Sequence, residues 1–83
     1  MEYTVYVLSS LSTKKSYVGF TDNLERRLHE RNSGRGYFTK RYMPWKVIYT
    51  ERFDSYTAAH KRERYLKSAS GRSRILKKLF SEL

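Results

Sequence analysis

Between Tyr17 and Arg31 the chain changes its apolar pattern from that of a strand to that of a helix. Tyr17-Val18-Gly19-Phe20 is aromatic and β-branched, as strands prefer. Thr21, Asp22 and Asn23 follow as three consecutive candidate N-caps. Leu24 and Leu28 then lie four apart on one helix face, with Arg27 and Arg31 each three residues beyond one of them. Alternation gives Tyr17 and Gly19 one strand face and Val18 and Phe20 the other. A phenol therefore sits beside a position with no side chain, with arginines arriving from the next helix. Such a junction can hold a phosphate. It can equally be a hairpin strand, a cap and a surface helix.

The rest of the chain is read around this junction. Residues 2–9 alternate as a first strand, with Val5 and Val7 on one side and Thr4, Tyr6 and Leu8 on the other. The polar stretch from Ser10 to Lys15 is turn-like, so an antiparallel hairpin leads into a second strand at Ser16–Phe20. That pairing allows Tyr6 and Tyr17 to share a face. A first helix runs from about Leu24 to Arg31, and Gly34 is a suitable stop. In residues 33–44, Tyr37, Phe38 and Tyr42 interleave with Arg35, Lys40 and Arg41. Cations among aromatics suit a nucleic-acid backbone with occasional base stacking; the same aromatics could simply cover a sheet edge.

A third strand spans Trp45 to Arg52, with Trp45, Val47 and Tyr49 expected on one face and Ile48 opposite. Asp54 or Ser55 caps a second helix from about Tyr56 to Ser68. Its buried stripe reads Tyr56, Ala59, Glu63, Leu66. A carboxylate in an apolar stripe needs a cation, a metal or a cleft. Arg62, Arg64 and Lys67 are candidate cations for an ion pair at the rim. Ala69-Ser70-Gly71 then interrupts the helix. Ser70 or Ser73 caps a last segment with Ile75, Leu76, Leu79, Phe80 and Leu83 on its apolar face and a basic outer surface. The expected fold is α+β, a three-stranded antiparallel sheet flanked by helices in the order ββαβα plus a C-terminal helix.

Composition narrows the partners. In 83 residues, 18 Lys and Arg stand against 8 Asp and Glu, a formal net charge of +10. That favours a polyanion, above all nucleic acid. An anionic membrane surface ranks second, but no apolar run reaches transmembrane length and the N-terminus lacks the basic region of a signal peptide. The chain is expected in the cytoplasm as a monomer. There is no Cys, and His29 and His60 lack structural-zinc spacing.

The ordered set now resembles a known family. Thr4-Val5-Tyr6, then Tyr17-Val18-Gly19, then Leu24-x-x-Arg27-Leu28, and later Ala59-x-x-x-Glu63-x-x-Leu66-Lys67 look like the GIY-YIG nuclease domain. The likeness is greatest to short stand-alone members similar to the N-terminal domain of the excision-repair nuclease C subunit. It spans nearly the whole chain, as a single nuclease-like domain over residues 1–83. It implies the ββαβα fold and divalent-metal-dependent hydrolysis of a DNA phosphodiester, with a role in repair or recombination as one setting. Carried over residue by residue, Tyr6, Tyr17, Arg27 and Glu63 are the catalytic positions. Glu63 would ligate one Mg²⁺ or Mn²⁺, and one carboxylate plus water and phosphate oxygens suits Mg²⁺. Arg27 would bind the scissile phosphate. Tyr6 or Tyr17 would position or deprotonate the attacking water. Gly19 would let substrate approach the strand, and Arg31, Arg35, Lys40, Arg41 and Lys67 would contact DNA.

The chain departs from the family pattern in four places. Thr4 replaces a Gly of the first motif. Phe20 stands where some members carry Lys. Arg31 takes the place of a common His, and no Asn follows Asn32. The alternatives are a non-catalytic nucleic-acid-binding module that keeps the fold, or a subunit meeting an acidic protein. With no second domain in this sequence, selectivity would be low or borrowed from a targeting partner.

Overall fold

The computed structural model describes residues 2–34 and 41–81. Strand β1 (Tyr3–Ser10) and strand β2 (Ser16–Thr21) form the expected hairpin, followed by helix α1 (Leu24–Asn32), strand β3 (Trp45–Phe53) and helix α2 (Tyr56–Lys67). A last helical segment, α3, covers residues 69–81 and passes through a π-helical stretch at Arg72–Leu76. The sheet is antiparallel in the order β2-β1-β3. This is the α+β, ββαβα-plus-helix arrangement read from the sequence.

Strand β1 lies between the other two and is buried on both faces: Val5, Tyr6, Val7 and Leu8 are at most 1% exposed. Alternation divides them between two apolar clusters. Val5 and Val7 join Val18, Ala59, Leu66 and Leu76 beneath α2 and α3. Tyr6 and Leu8 join Trp45, with Tyr17, Leu24 and Leu28 packed beside them beneath α1. Full burial of a leucine such as Leu8 or Leu66 contributes on the order of 1.5–3 kcal/mol.

The cap positions resolve the alternatives in the sequence. Of three candidates, Asn23 caps α1: its Oδ1 accepts from Arg26 N–H at 3.0 Å. Thr21 holds the cap in turn, its Oγ1 accepting from Asn23 N–H. Gly34 follows at φ 82°, a left-handed conformation that ends the helix and that Gly adopts without strain. Ser55 rather than Asp54 caps α2, its Oγ accepting from Ala58 N–H.

Several details differ from the sequence reading. The register between β1 and β3 shifts at Val7/Leu8. This bulge turns both Ile48 and Tyr49 toward the α2 cluster, while Val47 and Trp45 stay with the α1 cluster. Strict alternation had put Tyr49 with Trp45. Tyr56, expected in the buried stripe of α2, is 57% exposed at the first position of the helix, its ring meeting the edges of Tyr3 and Phe20 on the sheet. Ser68, not Ser70 or Ser73, caps α3, its Oγ accepting from Gly71 N–H. Ile75, Leu76 and Leu79 pack as expected, whereas the Phe80 side chain and Leu83 lie outside the described residues.

Candidate active site

The strand-to-helix junction forms the floor and one wall of the candidate site. The β1–β2 register pairs Tyr6 with Gly19 and Leu8 with Tyr17, so both phenols rise from the sheet face beneath α1. Their rings stack at 6.4 Å between centroids. A Cβ at Gly19 would lie 2.6 Å from the Tyr6 hydroxyl and 2.9 Å from its Cζ. The missing side chain of Gly19 is the space that the Tyr6 ring occupies. Trp45, 3% exposed, meets Tyr17 edge-on at 6.3 Å. Trp45 is itself fixed by Asn32 at the end of α1: its N–H donates to Asn32 Oδ1 at 2.6 Å, and its carbonyl accepts from Asn32 Nδ2 at 3.2 Å.

Helix α1 brings the cations. Leu24 and Leu28 face the sheet, which carries Arg27 and Arg31 along the flank of the helix. Arg31 lies over the Tyr17 ring, with Cζ 4.5 Å from its centroid, and its Nη2 donates to the Tyr17 hydroxyl at 2.7 Å. Burial pushes the Tyr6 phenol above the ordinary tyrosine value, against the hydrogen-bonding and charge of Arg31, which pull it down. Arg27 Nε lies 3.8 Å from Glu30 Oε1, beyond hydrogen-bond reach. Arg27 Nε, Arg31 Nε and Glu30 Oε1 are buried atoms with no hydrogen-bond partner among the described residues. These buried atoms are shielded from a ligand; what suits an anion is two guanidinium groups on one helix flank beside a phenol.

Glu63 is placed differently. It is carried by α2, which covers the opposite face of the sheet through Ala59 and Leu66. Its side chain is 13% exposed and pairs with Lys67 Nζ at 3.1 Å. Lys67, the predicted substrate contact, is thus the cation that this carboxylate holds. Glu63 lines an open cleft of about 440 Å³ together with Arg64, Lys67 and Ser68. A single carboxylate beside open space, paired among the described residues with one lysine ammonium, fits a cation that keeps most of its water. Among the described residues, no group of three or more His, Cys, Asp or Glu could hold a metal ion without water or substrate oxygens.

The structure therefore brings Tyr6, Tyr17, Gly19 and Arg31 together, sets Arg27 on the same helix flank, and carries Glu63 on the helix beyond the sheet. Arg41 is exposed, its guanidinium 5.8 Å from the Tyr42 ring centroid. Arg35 and Lys40 lie outside the described residues.

One arrangement was not foreseen. Arg62 makes a two-pronged contact with Glu51 on β3, Nε to Oε1 at 2.7 Å and Nη2 to Oε2 at 3.1 Å. Tyr49 donates its hydroxyl to the same carboxylate at 2.6 Å. Burial raises the Glu51 pKa, but the hydrogen bonds from Arg62 and Tyr49 and the charge of Arg62 outweigh it, and the carboxyl lies below the usual glutamate value. This contact ties to the sheet the helix that carries Glu63. The sequence signal was faint: Glu51 and Arg62 meet only if α2 packs across β3.

Comparison with known proteins follows the same outline. The model of the GIY-YIG catalytic domain matches residues 2–77. A UPF0213 protein of Natronomonas pharaonis is 43% identical over 70 residues, covering 83% of this chain and 81% of that protein. A UPF0213 protein of Syntrophus aciditrophicus is 41% identical over 68 residues, covering 80% and 77%. The solution NMR structure of a UPF0213 protein from Bacillus halodurans superposes with a TM-score of 0.56 at 25% identity, over 93% of this chain and 84% of that one.

Proposed function

The chain belongs to the GIY-YIG catalytic-domain family, among its UPF0213 proteins, and from that premise we propose that it is a metal-dependent endonuclease hydrolysing DNA phosphodiesters. The observation that carries the reading is the Arg31 guanidinium seated on the stacked phenols of Tyr6 and Tyr17, with Arg27 on the same helix flank. Arg27 binds the scissile phosphate and offsets charge as the bond to the leaving oxygen lengthens. Arg31 fixes Tyr17. The Tyr17 hydroxyl, which accepts from Arg31, is the group that in this reading positions the attacking water. Tyr6, almost wholly buried and with its phenol pushed up, is suited to holding Tyr17 in place rather than to taking a proton. Glu63 is the residue that would hold one divalent cation, Mg²⁺ or Mn²⁺, which when bound supplies charge neutralisation at the phosphate and leaving oxygen.

The second reading is a nucleic-acid-binding module without catalysis. The position of Glu63, on the helix covering the other sheet face and paired with Lys67, favours it. One assay separates the two. Plain and branched duplex DNA are incubated with protein and Mg²⁺ or Mn²⁺, comparing wild type with Arg27→Ala, Tyr17→Phe and Glu63→Gln. The nuclease reading expects cleavage that chelation abolishes and that each substitution lowers by at least about a hundredfold. Cleavage that survives Arg27→Ala and Glu63→Gln overturns the assigned site. Salt-sensitive binding without cleavage under either metal establishes the module.

A further inference from the structure

A second groove lies where the tip of the β1–β2 hairpin meets the C-terminal segment. It has a volume of about 230 Å³ and is lined by Lys14, Ser16, Arg72, Leu76 and Lys77. Three cations and no carboxylate line it. Two of them, Arg72 and Lys77, bracket the π-helical stretch. Its single extra residue per turn brings positions five apart onto one side of the helix. The groove is not isolated. Arg72 N–H donates to Ser68 O at 2.9 Å, and Ser68 lines the cleft that holds Glu63, Arg64 and Lys67. The two depressions, whose lining residues Ser68 and Arg72 stand one helical turn apart, together carry five cations and one carboxylate.

We infer that Lys14, Arg72 and Lys77 form a track for the sugar-phosphate backbone of duplex DNA, leading into the Glu63 cleft. This rests on the nuclease or DNA-binding reading above and adds to it the surface that holds the flanking strand. The three cations are exposed, so they reach phosphates without losing water first. A row of cations without acids neutralises successive phosphates and displaces their counterions. An acidic protein would be met by mixed charge and apolar anchors, and here Leu76 is already spent on the core.

The test uses fluorescently labelled DNA and RNA duplexes and the triple variant Lys14→Ala, Arg72→Ala, Lys77→Ala. The control triple is Lys46→Ala, Arg52→Ala, Lys61→Ala, which removes the same charge from exposed positions elsewhere. The track triple should bind at least about tenfold more weakly at low salt. Its dependence of log K on log salt should be shallower by roughly 2 to 3, about 0.9 for each lost phosphate contact. The control triple should keep most of its slope. If wild type cleaves, the track triple should raise KM more than it lowers kcat. Equal weakening in both triples overturns the track, as does an unchanged slope in the first, even where cleavage by wild type upholds the nuclease reading. Loss of binding confined to RNA overturns its assignment to DNA. A selective loss on DNA supports the track even if no metal elicits cleavage.

Discussion

At the scale of single residues, Gly19 shows most plainly how the sequence fixes the site. Its role is space, since the Tyr6 hydroxyl and ring carbon already stand where a Cβ would go. Tyr6 cannot retreat, because it is 1% exposed and stacked on Tyr17. Gly19→Ala should therefore destabilise the fold by about 1–3 kcal/mol. Thermal unfolding checks this; each kcal/mol lowers Tm by about 4–8 °C in a domain of this size. A Tm within about 2 °C of wild type would show that the tyrosines have room to shift. Gly71 is required for the same reason. A Cβ there would fall on the carbonyl oxygen of Tyr65, while its φ of −64° is ordinary helix. In the sequence, Gly71 read only as a break.

At the scale of elements, the least legible feature is the coupling of α2 to β3. Glu51 and Arg62 are each one charged residue among many, and alternation alone gave β3 the wrong partner for Tyr49. The bulge that corrects this depends on the β1–β3 register, which no local pattern in Trp45–Phe53 encodes. The helices were easier to read, because Asn23, Ser55 and Gly34 announce their ends in the chemistry of their side chains. Tyr6, Tyr17 and the α1 arginines converge as the period-two and helical patterns require. How Glu63 sits relative to them depends on which sheet face α2 covers, and stripe spacing is silent on that. For the Glu51–Arg62 contact, a double-mutant cycle with Glu51→Ala and Arg62→Ala in urea should give a coupling of about 1–2 kcal/mol, because both side chains are about three-quarters buried yet still partly wet. Its pH dependence follows from the depressed Glu51 pKa. The contribution is fully present above the unfolded carboxyl value of about 4.3 and is lost as pH falls through the lower folded value. The acid limb of stability should flatten in Glu51→Gln.

At the scale of the whole molecule, charge is the dominant fact. A formal +10 on 83 residues places like charges within a Debye length of one another at low salt. Screening should therefore raise Tm between about 0.01 M and 0.15 M salt. Short DNA duplexes should raise it further at low salt, through preferential binding to the folded form. Scanning calorimetry at several ionic strengths checks both effects; a Tm that falls as monovalent salt is added would contradict the first. The positive sign of the net charge was legible in composition alone. The location of the cations was not, because only the tertiary fold sets Lys14 across from Arg72 and Lys77.

Strand β1 serves as a party wall. Val5 and Val7 furnish one room, closed by α2 and α3, and Tyr6 and Leu8 the other, closed by α1, so both rooms lean on the same strand. Damage to the lining on either side withdraws support from the same four residues. The two halves must consequently melt in a single step, with the indole of Trp45 reporting the loss of α2 as faithfully as that of α1.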